Sequence, residues 1–194
     1  MADYRDYVIV DGRFVGRFDE MYRDCDDPWE QSQTVEGPVR QATIALMRDA
    51  GIKTVVEYGS GLGYYTEALT AAGFDVIGLD ISPMAVERAS ARRPDLRFHV
   101  HDMTTGLFPA RADAILFAAL TWYILPSVDR LWDEMRASRQ SQFFVQILDF
   151  YPPNVQQYGR EYFTTLDECV ARCPLRLCDR SVHGAQTSAI WAIE

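Results

Sequence analysis

The stretch Val55-Val56-Glu57-Tyr58-Gly59-Ser60-Gly61-Leu62-Gly63-Tyr64-Tyr65 limits what this chain can fold into more than any other. A short apolar run reads as a buried strand, glycines at alternate positions read as a turn, and Leu62, Tyr65 and Leu69 then share one helical face. Glycines let the backbone approach a ligand closely, and the start of the following helix favours a negative group. Strand, turn and helix in this order make one βα unit, which needs further strands of a mostly parallel sheet beside it.

The remaining pattern supplies them. Strands are expected at residues 53–58, 74–79, 96–100, 112–117 and 142–148. Helices are expected at residues 38–50, where Pro38 sits in the first turn and Gly51 follows the end, and after Ser82 and Pro83, an N-cap and a first-turn proline. Further helices are expected at residues 126–138 and around 161–172. Two last apolar runs, residues 175–182 and 187–193, are separated by His183 and Gly184, too close for a helical crossover, so they form an antiparallel hairpin. Residues 1–34 carry mixed charge and scattered aromatics without a sustained period and read as an N-terminal arm, with one short strand at residues 7–10 and a candidate role as a lid. A chain of 194 residues that is 48% hydrophobic has enough apolar surface for one core and too little length for two ordinary domains, so residues 1–194 are read as a single domain.

The glycine spacing separates two cofactor classes. A dinucleotide fingerprint, G-x-G-x-x-G, needs glycine where Tyr64 stands, and here the third glycine arrives one residue early, which counts against a nicotinamide-dependent dehydrogenase. The pattern acid-x-G-x-G-x-G instead resembles motif I of the class I, Rossmann-like S-adenosylmethionine-dependent methyltransferases, and the antiparallel end of a parallel sheet resembles their fold. The Asp27-Pro28-Trp29 stretch is weakly similar to the segment before the first helix of nodulation-type N-methyltransferases.

The resemblance implies an α/β fold with a seven-stranded mostly parallel sheet, helices on both faces and an antiparallel C-terminal hairpin. It also implies the cofactor S-adenosyl-L-methionine, with S-adenosyl-L-homocysteine as product, and methyl transfer to a nitrogen or oxygen of a small molecule. Gly59, Gly61 and Gly63 would pass under the methionine moiety and Glu57 would support its ammonium group. Asp80, at the end of the second strand, would accept the ribose hydroxyls, with Ile81 on the adenine face. Asp102 would accept from the adenine amino group, Met103 would offer a backbone N–H, and Phe117 and Ala118 would line the cofactor. The sulfonium is a desolvated cation that aromatic faces stabilise, which makes Trp29, Tyr64, Tyr65, Trp122 and Tyr123 candidates. Trp122 and Tyr123 are equally placed for the substrate or the core.

In-line methyl transfer asks mainly for positioning in a dry pocket, and a general base helps where the nucleophile carries a proton. Asp149, at the end of the fifth strand, is the first candidate, followed by His101 and Tyr151. Arg160 is a candidate partner for a substrate phosphate or carboxylate, or a surface arginine at a helix start. No metal is expected: Cys169 and Cys173 lie one helical turn apart and Cys178 falls on a strand, which fits buried small apolar residues.

The net charge of -9, from 28 acids against 19 bases, disfavours nucleic acid as a partner, and Arg92-Arg93 is the only adjacent basic pair. The first residues lack an apolar leader pattern and no apolar run is long enough to span a bilayer, so a soluble cytoplasmic protein without a membrane partner is expected. Oligomeric state has no signature in the sequence. The alternatives are a methyltransferase acting on protein or RNA and a module that binds the cofactor without turnover.

Overall fold

The computed structural model describes residues 6–151 and 158–194. The arm opens with a small hairpin, β1 (Ile9–Val10) and β2 (Arg13–Phe14), followed by α1 (Phe18–Asp24) and α2 (Gln31–Thr34). After α3 (Pro38–Asp49) the chain alternates: β3 (Thr54–Tyr58), α4 (Tyr64–Ala71), β4 (Asp75–Asp80), α5 (Pro83–Arg92), β5 (Arg97–Val100), β6 (Ala114–Ala118), α6 (Val128–Ser138) and β7 (Phe143–Asp149). It ends in α7 (Leu166–Arg172), β8 (Arg176–His183) and β9 (Gln186–Ala192).

Seven strands form one sheet in the order β5-β4-β3-β6-β7-β9-β8. The pairs from β5 to β7 are parallel, and β9 lies antiparallel between β7 and β8, as the sequence leads one to expect. Strands buried on both faces read as continuous apolar runs, and their alternate residues feed two cores. Val56, Tyr58, Ile115, Phe117, Phe144 and Leu148 pack with α6 and α7, whereas Val55, Leu116, Val145 and Ile147 pack with α3 and α4.

The arm departs from expectation. It holds two helices, of 7 and 4 residues, each too short to show a helical period in sequence. Side chains from both partners hold it in place. Asp19 of α1 accepts from the Ser82 hydroxyl (2.8 Å) and the Met84 N–H (2.9 Å), so the arm helps cap the start of α5. Arg88 of α5 donates in return to the carbonyls of Tyr22 (2.6 Å), Cys25 (2.8 Å) and Asp26 at the end of α1. A third apolar cluster, containing Val8, Met21, Tyr22, Leu62 and Ala85, seals the contact.

Two smaller expectations shift as well. The helix expected around residue 161 starts at Leu166, where the Thr165 hydroxyl accepts from the Glu168 N–H and the Glu168 carboxylate accepts from the Thr164 N–H. Cys169 and Cys173 are buried, but Cys178 is exposed on the edge strand β8 rather than packed in the core. Among the described residues no helix is long and apolar enough to cross a membrane, and no group of three or more His, Cys, Asp or Glu is disposed to hold a metal ion.

The turn after β3 is packed as well as bent. Gly63 has φ +75°, and a Cβ there would lie 2.5 Å from Phe98 Cζ, whereas at Gly73, with φ +97°, a Cβ would meet open space. Both replacements carry left-handed strain, but only the first also overpacks the core. Gly63→Ala is expected to lower the unfolding free energy by about 2–4 kcal/mol and Gly73→Ala by about 1 kcal/mol, read from urea denaturation midpoints at constant slope. Equal losses at the two positions would count against the packing role of Gly63.

Candidate functional site

The carboxyl ends of the parallel strands open into a cleft of about 2100 Å³. It covers the point where connections change direction, since β3 neighbours both β4 and β6, and open α/β sheets place ligands at such a point. The sheet contributes Tyr58 and Gly59, Asp80 and Ile81, His101 to Thr104, Ala118 to Leu120, and Asp149, and the arm closes the other side.

Asp80 stands at the centre. Only 7% exposed, it accepts from the Gly61 N–H through Oδ2 (2.9 Å) and the Ser82 N–H through Oδ1 (2.9 Å). Burial raises its pKa from 3.8 to about 6, against the opposing pull of backbone N–H groups at Ser82, Gly61 and Ile81. A carboxylate can accept about four hydrogen bonds, so beyond these backbone donors its oxygens keep capacity for a further hydroxyl. Ile81, 45% exposed, presents an apolar face to the cleft beside it. Asp102 and the buried Met103 line the same end, with Asp102 Oδ1 accepting from the Thr104 N–H (2.8 Å) and hydroxyl (2.7 Å).

Glu57 is placed differently from the expectation. Its carboxylate is 1% exposed, takes a 2.6 Å hydrogen bond from the Thr66 hydroxyl and is not among the cleft-lining residues. Burial raises its pKa from 4.5 to about 7, with Thr66 and the Arg40 charge opposing. Its influence on the cleft is therefore a field from beneath the turn and not a contact. Of the three glycines only Gly59 lines the cleft: a Cβ at Gly61 would lie 2.6 Å from Tyr22 Oη and 2.7 Å from the Gln31 amide, and Gly63 is covered by Phe98. Gln31 Oε1 accepts the Leu62 N–H (2.9 Å), which binds the arm to the glycine turn directly.

Four further expectations are corrected. Tyr64 turns away from the cleft, with the Arg92 guanidinium 4.0 Å above its ring, and belongs to the arm-docking cluster. Tyr65 is buried under α3, its hydroxyl donating to the Arg40 carbonyl (3.1 Å). Phe117 is fully buried between Tyr58 and Phe144, because its side chain points to the α6 face, while its neighbour Ala118 lines the cleft. Arg160 is exposed and outside the cleft.

The aromatic residues form a belt. Tyr123 meets Phe18 edge to face (5.8 Å) and Trp29 at a tilt (5.4 Å), Phe18 meets Phe14 (6.1 Å), and Phe14 stacks on Tyr158 (6.2 Å). Trp29 Nε1 donates to Tyr22 Oη (2.9 Å). All six rings line the cleft, yet sequence alone singled out only Trp29 and Tyr123, since a ring on a short helix looks the same whether it faces core or cleft. Trp122 also lines it, but is 9% exposed, packed against Phe163 and anchored by donation from Nε1 to the Asp149 carbonyl (3.0 Å). Ala119 adopts φ +63°, a strained value for a residue with a side chain, just past the end of β6.

The three candidate bases are divided between ends. His101 follows β5 and Asp149 ends β7, four strand spacings apart, about 19 Å, so they cannot serve one reacting atom. His101 Nε2 is engaged by the Gly106 carbonyl (2.8 Å) and its ring packs against Tyr58 and Phe108, which ties it to the Asp102 end of the cleft. Asp149 faces the cleft beside Arg40 and Gln186, and burial raises its pKa while the Gln186 side chain and the Arg40 charge oppose the shift. Tyr151 lies at the lip, 45% exposed. The Pro152-Pro153-Asn154 turn that follows it in sequence lies outside the described residues.

Comparison with known proteins fits this geometry. Residues 55–140 match the family model described as "Methyltransferase domain". Magnesium-protoporphyrin O-methyltransferase of Rhodobacter capsulatus is 33% identical over 86 residues, 42% of this chain and 38% of that protein. Protein-L-isoaspartate O-methyltransferase of Burkholderia pseudomallei (strain 668) is 33% identical over 109 residues, 52% of this chain and 34% of that protein. The matches thus span about a third of the length of these curated relatives. Among solved structures, N-methyltransferase NodS from Bradyrhizobium japonicum WM9, in complex with S-adenosyl-L-homocysteine, superposes with a TM-score of 0.66 at 15% identity, covering 90% of this chain and 95% of that one. Residues 55–140 thus match a methyltransferase domain, and the sheet order and glycine turn resemble the fold of class I S-adenosylmethionine-dependent methyltransferases.

Proposed function

We propose that the protein transfers a methyl group from S-adenosylmethionine to a nitrogen or oxygen atom of a small molecule. The observation that carries this reading is the run of Gly59, Asp80, Ile81, Asp102, Met103 and Ala118 along one cleft at the switch point of the sheet. Asp80 would take the ribose hydroxyls, Ile81 with Asp102 and Met103 would hold the adenine, and Gly59 with Ala118 would border the methionine portion. The bound cofactor supplies an electrophilic methyl group on a sulfonium. The rest falls to this chain: Trp29 and Tyr123 offer aromatic faces to a cation, the arm excludes water, and Asp149 is placed to take a proton from the acceptor. A small acceptor is favoured over a polypeptide because the arm roofs the cleft through α1, α2 and the aromatic belt.

Thermal unfolding with S-adenosylmethionine, S-adenosylhomocysteine and NAD tests the cofactor. At a hundredfold over the dissociation constant, each of the first two is expected to stabilise by about 2.7 kcal/mol, a rise of roughly 5–10 °C, with no shift from NAD. Asp80→Asn keeps the shape of the residue and is expected to weaken S-adenosylhomocysteine binding by roughly ten- to a hundredfold, the scale of hydrogen bonds to a charged group. An unchanged affinity in that variant would move the ribose away from Asp80.

The raised pKa values of Glu57 and Asp80 fix the sign of the pH dependence. Because both values lie higher in the folded state than the ordinary 4.5 and 3.8, the folded protein holds the extra protons, and the ligand-free protein loses stability as pH rises from about 4 through about 7. Ligand binding runs the other way, since ionised Asp80 is the better acceptor and ionised Glu57 the better field for an ammonium group. S-adenosylhomocysteine affinity is expected to rise between pH 5.5 and 8, and Glu57→Gln to flatten both profiles; calorimetric titration across that range would show a falling or level affinity if these carboxylates are not involved.

A further inference from the structure

The cleft carries an asymmetry of charge that the methyl-transfer reading does not use. Beyond Asp80, Asp102 and Asp149, its lining includes Asp11, Asp24, Asp27 and Glu30, against a single lining arginine among the described residues, Arg40. Asp24 accepts from the Tyr7 hydroxyl and Asp27 from the Gln31 and Ser32 N–H groups, all neutral donors, so their charges are not cancelled. Among the described residues no arginine or lysine forms an ion pair with Asp11, Asp24, Asp27 or Glu30. Arg40, by contrast, is already engaged: its guanidinium lies 4.5 Å above the Tyr65 ring, and its charge acts on Glu57 and on Asp149. Arg160, the one residue that sequence offered for a substrate anion, lies outside the cleft.

The second observation is the belt of Phe14, Phe18, Trp29, Tyr123 and Tyr158 along the same wall. Phe14 and Tyr151 leave 39% and 45% of their surface exposed at the lip, an apolar and quadrupolar surface that a ligand would cover. Aromatic faces attract cations, and carboxylates gathered at the rim of a cleft raise the local concentration of cations, so the two features select the same charge. A phosphate or carboxylate entering here would meet several carboxylates and, among the described residues, no unengaged arginine.

Resting on the methyl-transfer reading, we propose that the acceptor is a small amine, cationic at neutral pH and carried on an aromatic or other apolar body. The body lies along the aromatic belt and the nitrogen faces Asp149. Asp149 takes one proton from the ammonium; the freed lone pair bonds to the methyl carbon while the carbon–sulfur pair stays on sulfur. The products are a methylated ammonium and a neutral thioether, and Asp149 returns its proton to water.

The test uses the full chain and ligand-observed NMR on a set of matched aromatic probes, each available as amine, N-acetyl amide and carboxylate, with and without saturating S-adenosylhomocysteine. The expected result is that amines bind at least tenfold more tightly than the matching carboxylates, with the difference shrinking severalfold between 50 mM and 500 mM salt. In the double variant Asp11→Asn, Glu30→Gln the preference is expected to fall severalfold while S-adenosylhomocysteine affinity stays unchanged. Carboxylates or amides binding as well as amines would overturn the proposal, and would do so even where S-adenosylhomocysteine binds normally. Failure of S-adenosylhomocysteine to bind would instead overturn the methyl-transfer reading, and the charge preference of the cleft would be read from the probes alone.

Discussion

The site depends on one buried carboxylate. Asp80 ends β4 and reaches across to the turn after β3, so that one oxygen accepts the Gly61 N–H and the other the Ser82 N–H. Two βα turns are thereby fixed to each other at the place where the sheet changes direction. The arrangement opposes the cost of burying a charge, which still leaves the group with a raised pKa at the lining of the cleft. Asp80 thus acts as a structural tie between two turns of the chain at the floor of the cleft.

The arm is the second constraint. It completes the site instead of decorating it: Tyr22 and Gln31 fill the space beside Gly61, Gln31 occupies the Leu62 N–H, and Trp29 and Phe18 meet Tyr123 across the opening. Asp19 and Arg88 fasten α1 to α5 by side-chain bonds to helix ends, where unsatisfied N–H and carbonyl groups are available. The glycines of the turn therefore serve two purposes. Gly59 leaves room in the cleft, while Gly61 and Gly63 leave room for the protein's own side chains.

The order of strands and helices from β3 onward was legible in the sequence because each strand is a short apolar run and each helix has a clear start or stop, such as Ser82-Pro83 or Gly73. So was Asp80, whose place at the end of a strand follows from the glycine turn that precedes it. Phe117 misled because a strand buried on both faces has no polar face, and the apolar run does not say which of Phe117 and Ala118 points to the cleft. Tyr64 misled because position after a glycine turn does not fix rotation about the helix axis. The arm was illegible for a simpler reason: helices of 7 and 4 residues are set by tertiary contacts such as Arg88 and Asp27, which lie on other elements or outside any period.

The most direct single measurement is a crystal structure of the protein grown with S-adenosylhomocysteine. Ribose hydroxyls within hydrogen-bonding distance of both Asp80 oxygens, adenine between Ile81 and the Asp102-Met103 turn, and sulfur near Ala118 with the arm in place would agree with the site described. Ligand density elsewhere, or a ribose that leaves the Asp80 carboxylate untouched, would contradict it.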